Sequence, residues 1–223
     1  MATRTRRTDR RTDALSKERI VEAAIEILDA EGESGLTFRA LAAHLATGAG
    51  AIYWHVANKS ELLATAADDV IARVMTDVEE GTEPREAIRS ITSGVFDAID
   101  AHPWVGTQLS REPWQSAITQ ILEGVGGQVQ ALGVPERAQF DSASALVSYI
   151  LGLAAQYAAA ARLLAEDTDR SAFLATVAAR WAQLDRAKYP FVHQAATHMR
   201  DHDDREQFLA GIDLILDGMT TIR

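Results

Sequence analysis

The first twenty residues concentrate guanidinium groups, which can bind the phosphate oxygens of a nucleic acid. They hold seven basic and three acidic side chains, whereas the remaining 203 residues hold 15 basic and 29 acidic ones. The formal net charge of −10 therefore divides into a basic N-terminal segment and an acidic remainder. One interpretation of residues 1–15 is a solvated, disordered tail. The other is a basic arm attracted to phosphates or to a narrow minor groove.

A second group of reactive side chains lies near the C-terminus. It contains His193, His198, His202, Asp201, Asp203 and Asp204. His198 and His202 are four residues apart and could share a metal ion if both stood on one helix. This spacing is the only support for a metal-dependent hydrolase, and spacing alone is a weak motif. The sequence has no cysteine, no HExxH motif, no Ser-His-Asp signature and no glycine-rich phosphate loop, so we expect neither an enzyme nor a cofactor.

The elements that must position these groups are helical. Apolar residues recur every three or four positions, and no segment alternates with a period of two. Ser16, Thr37 and Asn58 are suited to cap helix starts, the last with Glu61 as its reciprocal partner. The predicted helices cover residues 16–32, 37–45, 49–56, 58–77, 84–101, 113–129, 136–166, 171–187 and 205–219. Residues 189–204 are predicted to be largely loop.

The helix pattern predicts an all-α fold with a basic arm over residues 1–15, a group of three short helices over 16–60 and an antiparallel helical bundle over 61–223. The short helices have the order of a helix-turn-helix domain, although many helical bundles contain such corners. The helix-turn-helix itself spans Thr37 to Trp54, with an interruption at Ala46–Gly48. In such a motif the first helix braces across the DNA backbone and the second enters the major groove. No stretch approaches the ~18–20 apolar residues of a membrane span, so we expect a cytoplasmic protein.

The stretch from Leu36 to Leu63 makes the motif specific, since it reads LTFRALAAHLATGAGAIYWHVANKSELL. It closely resembles the N-terminal DNA-binding domain of the TetR family of regulators, above all in the run from Ile52 to Val56 followed by Asn58 and Lys59. The remainder resembles the ligand-binding domain of the tetracycline-repressor-like subgroup. This weaker likeness rests on His102-Pro103-Trp104, Tyr189-Pro190-Phe191 and residues 211–218.

The resemblance implies roles for individual side chains in the helix-turn-helix. Thr37, Tyr53, His55 and Lys59 would bind phosphates, which sets the register on DNA without reading its sequence. Arg39 would read bases, because a guanidinium can bridge O6 and N7 of guanine; a solvated surface arginine is the alternative. We expect Trp54, although it lies within the DNA-binding stretch, to pack as a brace against the first helix.

The second helix of the motif has unusually few polar side chains. Thr47, Gly48, Ala49 and Gly50 stand where polar side chains would normally face the bases, and each glycine weakens a helix by roughly 1 kcal/mol relative to alanine. Direct readout from this helix is therefore limited to Thr47, backbone groups and methyl contacts with thymine. We expect operator preference to depend on Arg39, DNA shape and the basic arm.

For the C-terminal bundle, the resemblance implies dimerisation and ligand binding. Residues 136–166 and 205–219 would form the homodimer interface, with a small-residue surface at Ala154, Ala155, Ala158, Ala159 and Ala161. That surface could equally serve packing within the chain. A cavity would bind a small-molecule effector, and its candidate lining residues, each of which could instead be core, are Phe96, Ile99, His102, Trp104, Gln108, Trp114, Tyr149 and Tyr157.

The sequence as a whole therefore predicts a transcriptional regulator. We expect a homodimeric repressor that binds double-stranded operator DNA and is released by a small-molecule effector. The metal-dependent hydrolase built on His193, His198 and His202 is one alternative. A dimeric DNA-binding protein without an effector is another, although the acidic body argues against non-specific coating of DNA.

Overall fold

In a computed structural model, the described residues are 15–79, 81–111, 115–164, 170–199 and 202–222; for residues 154, 155 and 157–164 the backbone alone is described. Residues 1–14, which include most of the predicted basic arm, lie outside this part of the chain, and so does Trp114. The all-α prediction is confirmed, since the described residues form helices joined by turns without any strand. None of these helices combines the length and the apolar character that crossing a lipid bilayer requires.

Four helices make up or border the predicted DNA-binding domain, which we call the head. They are α1 (Lys17–Gly35), α2 (Phe38–His44), α3 (Ala49–Ile52) and α4 (Lys59–Thr76). Seven more follow in the part of the chain that we call the body. They are α5 (Pro84–Ala101), α6 (Pro103–Arg111), α7 (Ser116–Ala131), α8 (Glu136–Leu164), α9 (Arg170–Ala182), α10 (Pro190–Ala196) and α11 (Asp204–Met219).

In the head, the side chains predicted to cap helix starts do so in the structure. Ser16 accepts a hydrogen bond from the Arg19 amide at 3.3 Å, and Asn58 accepts one from the Glu61 amide at 2.9 Å. These bonds satisfy amides that a helix start would otherwise leave unpaired. The Glu61 carboxylate accepts from the amide of Ala57 at 2.8 Å, one residue earlier than the reciprocal pairing expected with Asn58.

One apolar core runs through head and body. Ile20, Leu41 and Leu62 are buried in the head, and Ile121 and Leu146 are buried in the body. Helix α4 packs against α1 of the head and against α5 and α7 of the body. This helix therefore joins the two parts physically, across the boundary that the sequence places near residue 60.

Three local predictions are wrong. The helix predicted over residues 171–187 ends at Ala182 and is followed by turns. The segment after Ala49 was predicted to be helical to Val56, but α3 ends at Ile52 and continues as turns. Residues 189–204 were predicted to be largely loop, but α10 occupies Pro190–Ala196. Proline at the first helical position lacks only an amide hydrogen that no helical carbonyl would accept, so Pro190 starts this helix instead of preventing it.

Candidate nucleic-acid interface

The helix-turn-helix is built around the N-terminus of α2. The Thr37 side-chain oxygen accepts a hydrogen bond from the Ala40 amide at 3.0 Å, which caps the helix and leaves the hydroxyl hydrogen free to donate. Leu41 and Ile52 are fully buried and hold α2 and α3 to the core of the head. Between the two helices, Ala46 has a positive φ of 50°, which turns the chain sharply.

Arg39 lies in the first turn of α2 and is exposed. Its guanidinium makes no hydrogen bond or ion pair within the described residues, and it stands two residues from the capping hydroxyl of Thr37. A free guanidinium at this position can extend from the protein surface toward another molecule. The geometry is compatible with base contact and also with phosphate contact.

Tyr53 is fixed by a ring that the sequence analysis missed. Phe38 stacks on Tyr53 with ring centroids 4.4 Å apart and an angle of 7° between the ring planes. Tyr53 is nevertheless 55% exposed, so its hydroxyl is accessible. The stack brings Tyr53 against the first turn of α2, close to Thr37 and Arg39. The sequence signal for this contact was Phe38, an aromatic residue directly after the capping Thr37.

The brace predicted for Trp54 is wrong. Its side chain is 90% exposed and does not pack against α1. The physical reason is the short α3, because the chain leaves the helix at Tyr53 and turns Trp54 outward. The exposed indole joins the accessible surface of the motif, while Ile52 and Val56 on either side supply the buried contacts.

The remaining predicted contacts differ in their accessibility. His55 is half-buried in the turn after α3. The Lys59 ammonium donates a hydrogen bond of 2.5 Å to the backbone carbonyl of Glu33, which ties α4 to the end of α1. Two of its three donors remain for a phosphate.

The second helix of the motif presents little side-chain surface. Gly48 and Gly50 are exposed, and a Cβ atom added at either would meet nothing within 4 Å. Ala49 and Thr47 are half-buried beside them. The backbone at this helix could therefore approach another surface closely, with few polar side chains available to read it.

A carboxylate on α1 connects the head to the body. Asp29 Oδ1 lies 2.7 Å from His102 Nδ1 and accepts a hydrogen bond of 2.7 Å from Trp104 Nε1. Four residues further along the chain, Glu33 pairs with Arg111 at 2.7 Å. Both donors to Asp29 were predicted to line a cavity, and their contact with the head was not foreseen, because 73 and 75 residues separate them from Asp29 in sequence.

His102 does line a cavity, of about 290 Å³, between α1, α4 and α5. The other residues predicted to line a cavity are mostly packed within the core. Phe96 and Tyr149 contact the ring of Phe208 on α11, with centroid distances of 5.1 and 5.7 Å. Ile99 and Gln108 are buried. For Tyr157 the backbone alone is described.

A larger cavity, of about 750 Å³, opens between the end of α4, α5 and α7. We call it the body cavity. Its described lining is apolar at Met75, Val78 and Ile91, and it carries Glu79 and Glu123. Its volume is in the range typical of small-molecule sites. A second cavity, of about 830 Å³, lies between α9 and α10 and includes His193.

The metal arrangement that was the alternative for the C-terminal histidines does not form in the described residues. Helix α10 ends at Ala196, so His198 and His202 do not stand on one helix. His193 Nε2 contacts the backbone carbonyl of Leu184, whereas His202 Nε2 lies 3.1 Å from Asp204 Oδ1. Within the described ranges, no three histidine, aspartate or glutamate side chains come together as a metal site would require.

Comparison with known proteins agrees with this geometry. Residues 20–66 match the model described as "Bacterial regulatory proteins, tetR family", and residues 79–223 match the one described as "Tetracyclin repressor-like, C-terminal domain". The solved structure of SCO7222, a TetR transcriptional regulator from Streptomyces coelicolor, is 51% identical with a TM-score of 0.83, and the match covers 94% of this chain and 99% of that one.

Two relatives known from sequence give the same indication. An HTH-type transcriptional regulator of Saccharopolyspora erythraea is 31% identical over 140 residues, which are 62% of this chain and 59% of that protein. The match thus spans less than two thirds of that relative's length. The HTH-type transcriptional repressor DrrR1 of Streptomyces coeruleorubidus is 27% identical over 216 residues, covering 93% of this chain and 78% of the repressor.

Proposed function

The chain belongs to the tetR family of bacterial regulatory proteins, and on that premise we propose that it is a homodimeric repressor whose operator is palindromic and whose effector is a small molecule. The family consists of transcriptional regulators with a helix-turn-helix and not of enzymes. Repression is supported by the name of DrrR1, which aligns with almost the whole chain. We further propose that residues 1–15 act as a basic arm, 16–60 as the DNA-binding head and 61–223 as the regulatory body.

The observation that carries the proposal is the group formed by Thr37, Arg39 and Tyr53. Thr37 caps α2 with a free hydroxyl hydrogen, Arg39 presents an unpaired guanidinium in its first turn, and the exposed ring of Tyr53 stacks on Phe38 between them. Helix N-termini favour phosphate because their amides and dipole both point at the anion. In the proposed complex Thr37, Tyr53, His55 and Lys59 bind phosphates, Arg39 contacts guanine, and Trp54 lies beside them at the surface.

The proposed dimer uses α8 and α11. Phe140 on α8 is 71% exposed and Leu214 on α11 is 73% exposed, and burial of large apolar side chains favours association. A two-fold dimer would place two heads on the two halves of a palindrome. Side chains of the predicted alanine surface, from Ala154 to Ala161, lie outside the described residues.

The proposed effector site is the body cavity. It adjoins the end of α4, the helix that also packs on α1 of the head. A molecule that binds this cavity better in one arrangement of α4 than in another shifts the population of head positions, and operator DNA and effector then alter each other's affinity by the same factor.

The experiment that tests the proposal starts from genomic fragments of the source organism selected by the purified protein. Fluorescence anisotropy then compares wild type, Arg39→Ala and Arg180→Ala on the selected duplex. Arg180 is exposed on α9 and provides a matched loss of charge. Arg39→Ala should cost about 1–3 kcal/mol and relax preference at one guanine. If the protein selects no fragment over random DNA, the proposed function is refuted. If Arg39→Ala leaves the preference for the operator sequence unchanged, Arg39 does not read a base.

A further inference from the structure

The charged residues in the described lining of the body cavity are all acidic. Glu79 and Glu123 belong to its described lining, and no lysine, arginine or histidine is part of that lining. We infer that the effector is a cationic molecule with an apolar body. The inference rests on the proposed function, since it names the chemical class that the proposed effector site would take.

Neither carboxylate is neutralised within the described part of the chain. Glu79 and Glu123 are exposed at the cavity and make no side-chain hydrogen bond or ion pair there. A cation bound between them would gain two favourable charge interactions, whereas an anion would meet repulsion.

The basic side chains on the three helices around the cavity are already occupied. Arg73 on α4 pairs with Asp69 at 2.6 Å, and Lys59 at the far end of that helix donates to the Glu33 carbonyl. On α5, Arg85 and Arg89 pair with Asp213 of α11. Helix α7 contains no basic residue. The negative potential of the cavity is therefore uncompensated by these helices.

The apolar part of the lining suits an apolar group of the ligand. Met75, Val78 and Ile91 supply it. Gly124 lets α7 pack closely on two of these side chains, since a Cβ atom added there would lie 3.0 Å from Met75 Sδ and 3.4 Å from Ile91 Cδ1. The flexible thioether of methionine adapts to ligands of different shape.

The test uses three probes that share one apolar group and differ in charge. They are naphthalenes with a trimethylammonium-methyl, a hydroxymethyl or a carboxymethyl substituent. Isothermal titration calorimetry on the full-length protein without DNA gives the three dissociation constants. The cation should bind about tenfold more tightly than the neutral probe, because each exposed carboxylate contributes a small and partly screened attraction. The anion should bind more weakly than the neutral probe.

A matched pair of variants locates the preference. Glu79→Gln with Glu123→Gln should abolish the preference for the cation and leave affinity for the neutral probe unchanged. Glu22→Gln with Asp100→Asn removes the same charge from exposed sites on α1 and α5 and should leave the preference intact. Equal effects of both pairs would overturn the inference, since the preference would then follow net charge alone.

The inference and the proposed function fail in different ways. Failure of all three probes to bind, or tighter binding of the anion, would overturn the cationic effector and leave operator selection untouched. Loss of operator selection would remove the proposed function, whatever the probes do. Tight binding of the cation that is lost in the Glu79 and Glu123 variant supports the inference.

Discussion

At the scale of single residues, the contact between Phe38 and Tyr53 determines how the head presents its surface. Tyr53 is 55% exposed, and an exposed ring without a neighbour would sample several rotamers. The parallel stack at 4.4 Å holds it in one. Phe38 thereby acts on any phosphate contact of Tyr53 without reaching the phosphate itself.

Phe38→Ala should therefore weaken operator binding by about 1 kcal/mol, the value typical of an aromatic pair. Fluorescence anisotropy on the selected operator measures this loss. Phe191→Ala is the control, because Phe191 is 77% exposed on α10 and far along the chain from the head. If Tyr53→Phe weakens binding and Phe38→Ala does not, the stack has no role in positioning the phenol.

Asp68 illustrates the cost of burying a charge. Burial raises the pKa of this carboxyl, although hydrogen bonds from the Ala117 amide and the Ser116 side chain act in the opposite direction. Its Oδ1 atom has no hydrogen-bond partner in the described structure. A raised pKa means that the folded state binds the proton more tightly than the unfolded state, so ionised Asp68 destabilises the fold at neutral pH.

Asp68→Asn should accordingly unfold at a higher urea concentration than wild type at pH 7. The difference should shrink as the pH falls through the raised pKa, since wild-type Asp68 then takes up its proton. Urea unfolding between pH 7.5 and pH 4 gives both values. Asp100→Asn, at an exposed site on α5, controls for net charge. A stabilisation that does not change with pH would exclude ionisation of Asp68 as its cause.

At the scale of helices, the approach of α4 and α5 depends on Gly94. A Cβ atom built at this position would lie 2.6 Å from Val74 Cγ1, closer than two carbons can come. Valine is restricted at χ1 and cannot easily move aside. The two helices pack closely because one of them lacks a side chain at the crossing.

Gly94→Ala should therefore destabilise the protein by about 1–3 kcal/mol through overpacking. Gly127→Ala is a matched control on α7, because a Cβ atom there would meet nothing within 4 Å. That substitution should be neutral or stabilise by up to about 1 kcal/mol through helix propensity. Denaturant unfolding compares them, and equal stability of the two variants would contradict the close crossing.

The contact of α1 with α6 is a second link between helices, and Asp29 carries it. Trp104 is only 8% exposed, so removal of its acceptor leaves a nearly buried indole N–H unpaired. His102 loses its partner at the same time. The corner between α5 and α6 would then be free to move against the head.

Asp29→Ala should lower the free energy of unfolding by about 1–3 kcal/mol, the cost of an unsatisfied buried donor. Hydrogen exchange of the α1 amides should also become faster. Glu22→Ala on the exposed face of the same helix serves as the control. If the two variants are equally stable, the contacts of Asp29 do not stabilise the packing of α1 against α6.

At the scale of the whole molecule, the exposed apolar residues of α8 and α11 indicate where a second copy would pack. Leu214→Arg should convert the proposed dimer to a monomer, because a charge would enter the interface. Light scattering after size exclusion measures the mass. Phe191→Arg places the same charge on α10 and should leave the dimer intact. A dimer that persists in Leu214→Arg would exclude α11 from the interface.

The sequence by itself determined the all-α fold, the helix starts of the head and the family. These features depend on short-range relations that a sequence displays directly. A cap at Ser16 or Asn58 involves an amide three residues away, and a helix face follows from apolar spacing. The helix-turn-helix from Thr37 to Trp54 is recognisable for the same reason.

Only the tertiary structure decided which side chains are accessible and which are paired. Trp54 is exposed although the sequence favoured a buried brace, and Phe38 stacks on a ring fifteen residues away. Asp29 contacts His102 and Trp104, and Glu79 and Glu123 line one cavity. Such contacts depend on how helices pack at long sequence separation, and each packing angle brings different side chains together, so local periodicity cannot specify them.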